Sequence, residues 1–293
     1  MSDIEEFTEE SVVPIVNNEI NIYPKSLFDF TKRPLSYSSL KPILKSPLHF
    51  AHNWVHGKEK PKSKALKFGS LLDMFLFFPE EFEKAYIIKP KFEGTGARTR
   101  EAQWKEEHVG FQMATKEEIH EARMMAEAIK TNPKTKWLYE KTTNVQLEIR
   151  YTDKKTGLKY ILRLDAEAEH EGKKIVWDLK STTDASKENY ERDAAKYYYP
   201  LQGRMYCDGY IRKNGHFPDF YQIVCEKGEP FAVNTFRADN TFLEVGRKQF
   251  EKATQRVLYC MEHDCFNQGY DFLNEVGYDV LSVPVWEKTK WIE

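Results

Sequence analysis

Between Val145 and Lys180 the chain alternates apolar and polar residues in three consecutive runs, the feature that most narrows its fold. Val145, Leu147, Ile149 and Tyr151 alternate with Gln146, Glu148 and Arg150. Leu158, Tyr160, Leu162 and Leu164 alternate with Lys159, Arg163 and Asp165. Asp153-Lys-Lys-Thr-Gly157 between them has the residues of a hairpin turn, and Glu171-Gly172 leads into a third run, Ile175-Val-Trp-Asp-Leu-Lys180. A period of two belongs to strands, so three successive strands are expected.

The flanks carry a helical period. Ser38-Ser39 and Ser46-Pro47 are start signals, the second for a helix running through Trp54 to Gly57. Ala65 to Phe78 reads as a buried helix ended by Pro79, and residues 89–100 as a loop with glycine breakers. Thr115-Lys-Glu-Glu118 is a capping box, with Ile119, Ala122, Ala126 and Ile129 striped behind it. A helix from Ser186 to Arg212, broken at Pro200, precedes strands at Phe220–Glu226 and Phe231–Phe236 and a long helix from Asn240 to His263. An aromatic segment with Trp286 and Trp291 closes the sequence.

This order predicts an α/β (α+β) architecture with a central sheet flanked by helices. The 293 residues, 41% apolar and 14% aromatic, suffice for one large core and exclude a disordered chain. Residues 1–23 read as a flexible acidic arm and 24–293 as a single domain. The greasiest stretch, Leu71 to Phe78, contains Asp73 and is too short to span a bilayer. The N-terminus lacks a secretory pattern, so the cytoplasm is the expected location and no membrane the expected partner. Net charge is −2, but the first ten residues hold five acids and no base, which leaves +3 on the rest. A locally basic groove is compatible with that balance. Cys207, Cys225, Cys260 and Cys265 contain no CxxC pair, so neither a zinc ribbon nor an iron–sulfur cluster is expected.

Candidate chemistry gathers on the second and third strands. Asp178 and Lys180, two apart, share one sheet face about 6–7 Å apart, while Ile175, Trp177 and Leu179 anchor the other. Asp165 ends the preceding strand. If those strands pair, two carboxylates and an ammonium converge, an oxygen-rich set of the kind Mg²⁺ prefers. Any Asp-x-Lys alone is more often a solvated ion pair; its apolar strand and the nearby acid shift that balance. On the next helix Gln202 and Tyr206 stand at i and i+4, after Tyr197, Tyr198 and Tyr199.

Asp165 … Asp178-Leu-Lys180 … Gln202-x-x-x-Tyr206 resembles the PD-(D/E)xK nuclease superfamily, including the Gln-xxx-Tyr motif of its RecB-like branch. More narrowly it resembles the RecE-like phage and prophage exonucleases, of the exodeoxyribonuclease VIII type. The segments that carry this are Phe68–Phe82, Arg163-Leu-Asp165, Trp177–Thr182, Leu201–Tyr210 and Ser282–Trp286, in family order. The resemblance implies a restriction-endonuclease-like core with a mixed sheet. It implies Asp165 and Asp178 as metal ligands, the Leu179 carbonyl as a third, and Lys180 positioning or activating water. Gln202 and Tyr206 would hold the site and the nearby strand. Glu148 would be an outer acid, although an exposed strand residue is the simpler reading. The family's early helix carries Gly-x-x-x-His; here Gly69-Ser-Leu-Leu-Asp73 stands instead. A charge among Leu71, Leu72, Met74 and Phe75 needs compensation, and metal coordination by Asp73 supplies it, with loss of a ligand and of activity as the competing reading.

The expected function is therefore a Mg²⁺-dependent (or Mn²⁺-dependent) double-stranded DNA exonuclease. The resemblance adds 5′-to-3′ digestion leaving 3′ tails for recombination, DNA ends as substrate, a ring-shaped homo-oligomer, and a RecT-like single-strand annealing protein as partner. Alternatives are another nuclease of the superfamily, an endonuclease or a single-strand exonuclease, or an inactive DNA-binding scaffold. Lys89, Lys91, Arg98 and Arg100, and the run from Lys58 to Lys67, are candidate phosphate contacts. Those charge runs also read as ordinary solvated surface. His49, His52 and His56 lack a zinc pattern and read as surface or interfacial residues.

Overall fold

A computed structural model describes residues 21–57, 63–273, 278–283 and 288. The arm up to residue 20, Lys58 to Pro61 and Trp286 and Trp291 lie outside them. Tyr23, at the end of the expected arm, is buried, its backbone N–H donating to Asn267 Oδ1 at 3.0 Å.

The chain opens with α1 (Tyr37–Leu40), α2 (Pro47–His56), α3 (Lys64–Phe77) and the short α4 (Phe82–Ala85). Then come β1 (Tyr86–Ile88), α5 (Ala97–Glu107), β2 (Gln112–Ala114), α6 (Lys116–Thr131) and α7 (Pro133–Glu140). The strands β3 (Thr142–Thr152), β4 (Lys159–His170) and β5 (Lys173–Thr182) follow, then α8 (Lys187–Lys196), α9 (Tyr199–Asn214), β6 (Asp219–Glu226), β7 (Val233–Arg237) and α10 (Asn240–His263).

Local signals explain most of these boundaries. Ser46 caps α2 through His49 N, with Pro47 at the first position, and the Thr115–Glu118 box closes reciprocally on α6. Four expectations need correction. Asp165 does not end its strand, because β4 runs on to His170 and pairs with β5 there. The cap of α1 is Ser36, with Ser39 as the reciprocal partner rather than the cap. The segment 89–100 is not all loop: α5 begins at Ala97, after Gly96 at φ +77°. The break before α9 sits at Tyr198, in the left-handed region, with Pro200 inside the first turn, where a missing N–H costs nothing.

Five strands form one mixed sheet in the order β3-β4-β5-β6-β7, antiparallel except for the parallel pair β5 and β6; β1 and β2 make a separate parallel pair. Helices α3 and α6 pack with Ile175, Trp177 and Leu179 in one core. Helices α2, α9 and α10 cover the other face, with Val176 and Phe220.

The sheet forks at its centre. The β4–β5 ladder runs from His170↔Lys173 to Ala166↔Trp177 and then stops. Beyond it β4 pairs with β3 and, at Tyr160, through a single parallel bridge with Leu35, while β5 pairs with β6. The hairpin also turns over at this point. Val145 and Ala166 pack in the α3/α6 core, whereas their neighbours two residues on, Leu147 and Leu164, pack in the other. Gln146, at φ +51°, lies between those cross-strand pairs, opposite Asp165. Such an irregularity bends a strand and re-aims side chains next to it.

Candidate active site

Asp165 and Asp178 stand at the mouth of the fork, one step beyond the last β4–β5 pair. Asp165 Oδ2 accepts a hydrogen bond from the backbone N–H of Leu179 at 2.8 Å, bridging the strands where the ladder has ended. Asp178 is 1% exposed. Its Oδ2 pairs with the Lys180 ammonium, and its Oδ1 accepts from Gln202 Nε2 at 2.8 Å. Gln202 Nε2 also lies 3.0 Å from the Tyr206 hydroxyl, so the i and i+4 pair on α9 acts as one bracket on Asp178.

Helix α3 brings Asp73 to the same place. A cavity of about 540 Å³ is lined by Asp73, Asp165, Asp178, Lys180, Gln202 and Tyr206. Gly69 and Ser70, one turn before Asp73, give it a small-residue wall. Of the expected site residues, these six are brought together, with Leu179 beside them. Glu148 stays outside, its carboxylate held by Arg150 at 2.7 Å and Arg163 at 3.3 Å on an exposed face.

Electrostatics set the protonation of the cavity. Burial pushes the Asp73 carboxyl up to about 7, Asp178 pushes the same way, and Lys180 opposes. Asp165 is raised well above the usual carboxylate range, chiefly by burial and then by Asp178 and Asp73. Burial would lower Lys180, but Asp178, Asp165 and Tyr199 outweigh it and hold the ammonium above its ordinary value. Lys180 is thus a fixed positive charge, seated 4.9 Å from the centre of the Tyr199 ring.

Residues that the sequence did not single out complete the lining. Lys41 enters from the short turn after α1, with its ammonium over the Tyr37 ring; burial, then Lys180, lowers its pKa. The Tyr37 hydroxyl donates to the Tyr197 carbonyl at 2.5 Å. A lone Lys or Tyr in a Ser-rich stretch carries no signal of its own, and only the fold shows where they point.

The donor set fits a hard divalent cation in chemistry and charge: three carboxylates, a nearby carbonyl and no soft ligand. Gln202 Oε1 is also buried with no hydrogen-bond partner. The fit is not a finished cage. Among the described residues no three His, Cys, Asp or Glu side chains lie close enough together to hold an ion. The Lys180–Asp178 pair occupies one of the carboxylate oxygens a metal would use.

The candidate phosphate contacts are mostly engaged elsewhere. Lys91 pairs with Glu93 at 2.5 Å, and Arg100 donates to the carbonyls of Thr95 and Glu93. Lys89 pairs with Glu101 at 2.7 Å and lines a second cavity, beyond α3. His49 bonds Ser46 Oγ at 2.7 Å, and the rings of His52 and His56 lie 5.1 Å apart on the same helix.

A family model described as a PDDEXK-like domain of unknown function (DUF3799) matches residues 36–268. The chain belongs to that family. The DUF3799 match begins at the Ser36 cap and ends after α10, so it takes in the whole fork and both cavities. No curated protein matches the sequence. Among solved structures, a protein from Eubacterium rectale described as a "Putative exonuclease" is 15% identical, covering 89% of this chain and 94% of its own, with a TM-score of 0.54. At that identity it shows a shared fold. The structure of SSO0001 is 11% identical over 72% of this chain and 84% of its own, and its TM-score of 0.28 carries no argument. Fold and family place this DUF3799 member in the PD-(D/E)xK nuclease superfamily. Among the described residues no helix is long and apolar enough to cross a membrane.

Proposed function

We propose that this protein is a divalent-metal-dependent exonuclease of the RecE-like type. It digests double-stranded DNA from an end in the 5′-to-3′ direction and leaves 3′ single-stranded tails for strand annealing. The observation that carries the reading is the seating of Asp73, Asp165, Asp178, Lys180, Gln202 and Tyr206 around one cavity at the fork of the sheet. The description of the Eubacterium rectale neighbour as a putative exonuclease supports the same reaction type. A ring-shaped homo-oligomer and a RecT-like annealing partner belong to the proposal through the RecE-like resemblance alone.

Asp73, Asp165, Asp178 and the Leu179 carbonyl would hold the ion, Mg²⁺ or Mn²⁺. When bound, it polarises the scissile phosphate and makes bound water more acidic. The chain's own groups do the rest. Gln202 fixes the rotamer of Asp178 from behind, and Tyr206 fixes Gln202. Lys180, protonated at neutral pH, is a hydrogen-bond donor rather than a base: it orients the attacking water and offsets charge developing on the phosphoryl oxygens. Lys41 places a second ammonium in the cavity, suited to a non-bridging phosphate oxygen.

Linear and covalently closed forms of one duplex, each incubated with Mg²⁺, test the reading. The proposal expects the linear form, labelled at its 5′ ends, to lose label first while the closed form stays intact. Cutting of the closed duplex, or release of 3′ label first, would contradict it.

A further inference from the structure

Helix α3 has two working faces. Leu66, Gly69, Ser70 and Asp73 look into the active-site cavity, whereas Lys64, Lys67, Phe68 and Leu71 line a second cavity of about 680 Å³. The spacing 64, 67, 68, 71 is one continuous helical stripe. Across from it stand Lys89, Lys105, Phe111 and Tyr86.

Four lysines thus ring one pocket. Lys89 and Lys105 share the carboxylate of Glu101, which lies outside the lining, at 2.7 Å each, and Glu118, the acid of the lining, is committed to the capping box. Lys64 and Lys67 are exposed and have no ion-pair partner among the described residues. Phe111, also in the lining, is 43% exposed, so an apolar ring stands open to solvent beside these charges.

A second, independent observation is Tyr86. The residue is 5% exposed, it lines this cavity, and its hydroxyl is buried with no hydrogen-bond partner. A buried unpaired hydroxyl is costly unless a ligand or water completes it. Burial, then the field of Asp73 across α3, pushes its pKa up to about 12. It is therefore a neutral donor in need of an acceptor. Ammonium groups, a waiting donor and an open aromatic ring together match a phosphodiester with an unstacked base, the pattern of single-strand binding sites. A duplex keeps its bases stacked inside and has no use for the ring.

We infer that the cavity formed by Lys64, Lys67, Lys89, Lys105, Tyr86 and Phe111 binds single-stranded DNA, on the side of α3 opposite the active site. This rests on the nuclease reading for its biological sense: one helix would separate the strand being cut from an unpaired strand.

Equilibrium binding of a fluorescent dT12 oligonucleotide to the full chain in EDTA, across a salt series, tests this without hydrolysis. Wild type is compared with Lys64→Gln/Lys67→Gln, Phe111→Ala and Tyr86→Phe, each first shown to melt as wild type does. The double lysine variant is expected to bind ~10-fold or more weakly, and to lower the slope of log affinity against log salt by about 1.4, for two lost phosphate contacts. Phe111→Ala is expected to weaken binding ~10-fold through lost stacking. Unchanged affinity and slope in the lysine variant would overturn the inference. So would equal affinity for a blunt duplex of the same length, or displacement by inorganic pyrophosphate at concentrations equal to the oligonucleotide's, which would mark an anion site only. Hydrolysis by wild type is assayed in parallel with Mg²⁺. Hydrolysis without lysine-dependent binding refutes this inference alone; lysine-dependent binding without hydrolysis refutes the nuclease reading alone.

Discussion

Asp165 Oδ2 accepts the backbone N–H of Leu179 at 2.8 Å, at the point where β4 and β5 cease to pair. A side chain there stands in for the missing ladder bond, so one carboxylate both closes the fork and faces the cavity. Its charge and its hydrogen-bonding role are separable by mutation. Asp165→Asn keeps an acceptor for Leu179 N and removes a charge repelled by Asp178 and Asp73. The metal-free variant is expected to melt higher than wild type by about 2–4 °C, on the scale of 1 kcal/mol for a chain near this size. Its nuclease activity should fall ~100-fold or more, as for loss of a charge-stabilising group. Calorimetric melting and a DNA digestion series measure both.

Lys180 and Asp178 form a pair whose side chains are 17% and 2% exposed. Removing one partner of such a pair strands the other. Lys180→Met is expected to destabilise the metal-free protein by about 3 kcal/mol. Chemical denaturation with and without Mn²⁺ checks it: the added ion should recover part of the loss in the variant by giving Asp178 a cation again.

The raised Asp73 and Asp165 groups make stability and metal binding depend on pH in a defined direction. Both carboxyls hold protons in the folded, metal-free state to higher pH than in the unfolded chain. Between the ordinary value of 3.8 and about 7, the folded state therefore binds more protons. The contribution of Asp73 is fully present below the lower value and is lost as pH rises through the upper one. Metal-free stability should fall over that window, and Mn²⁺ affinity should rise over it. Titration calorimetry in two buffers of different ionisation enthalpy should show proton release on Mn²⁺ binding at pH 6.5 and less at pH 8.

How much of this was legible beforehand depends on whether a feature is local. The three alternating runs, the Thr115–Glu118 box, the α10 span, Asp178-x-Lys180 and Gln202-xxx-Tyr206 each declare themselves within a few residues, and the structure has them as elements and pairs. The fork does not, because pairing between Ala166 and Trp177 and its end at Asp165 are set by how two hairpins twist. A strict period of two also hides the turnover at Gln146 and Asp165, which puts Leu164 and Ala166 in different cores. Helix α5 buries no residue, so it had no apolar stripe to read behind Gly94 and Gly96. Lys41 and Tyr86 carry no motif; burial and position alone make them notable.

Gly203 explains how Gln202 reaches Asp178. A Cβ at this position would lie 2.7 Å from the Phe220 ring on β6, so the absence of a side chain lets α9 sit tight on the sheet. Gly203→Ala should push α9 outward, destabilise by about 1–3 kcal/mol as overpacking does, and lengthen the Gln202–Asp178 contact. Activity should fall further than the stability loss explains, with kcat reduced and KM little changed, which steady-state digestion kinetics at a temperature well below melting would show.

The most direct measurement is release of acid-soluble nucleotide from linear duplex DNA by wild type and Asp178→Asn, with Mg²⁺, with Mn²⁺ and with EDTA. The account predicts digestion by wild type with either ion, none in EDTA, and none by Asp178→Asn under any of the three. Digestion by the folded variant at the wild-type rate, or undiminished digestion in EDTA, would contradict it.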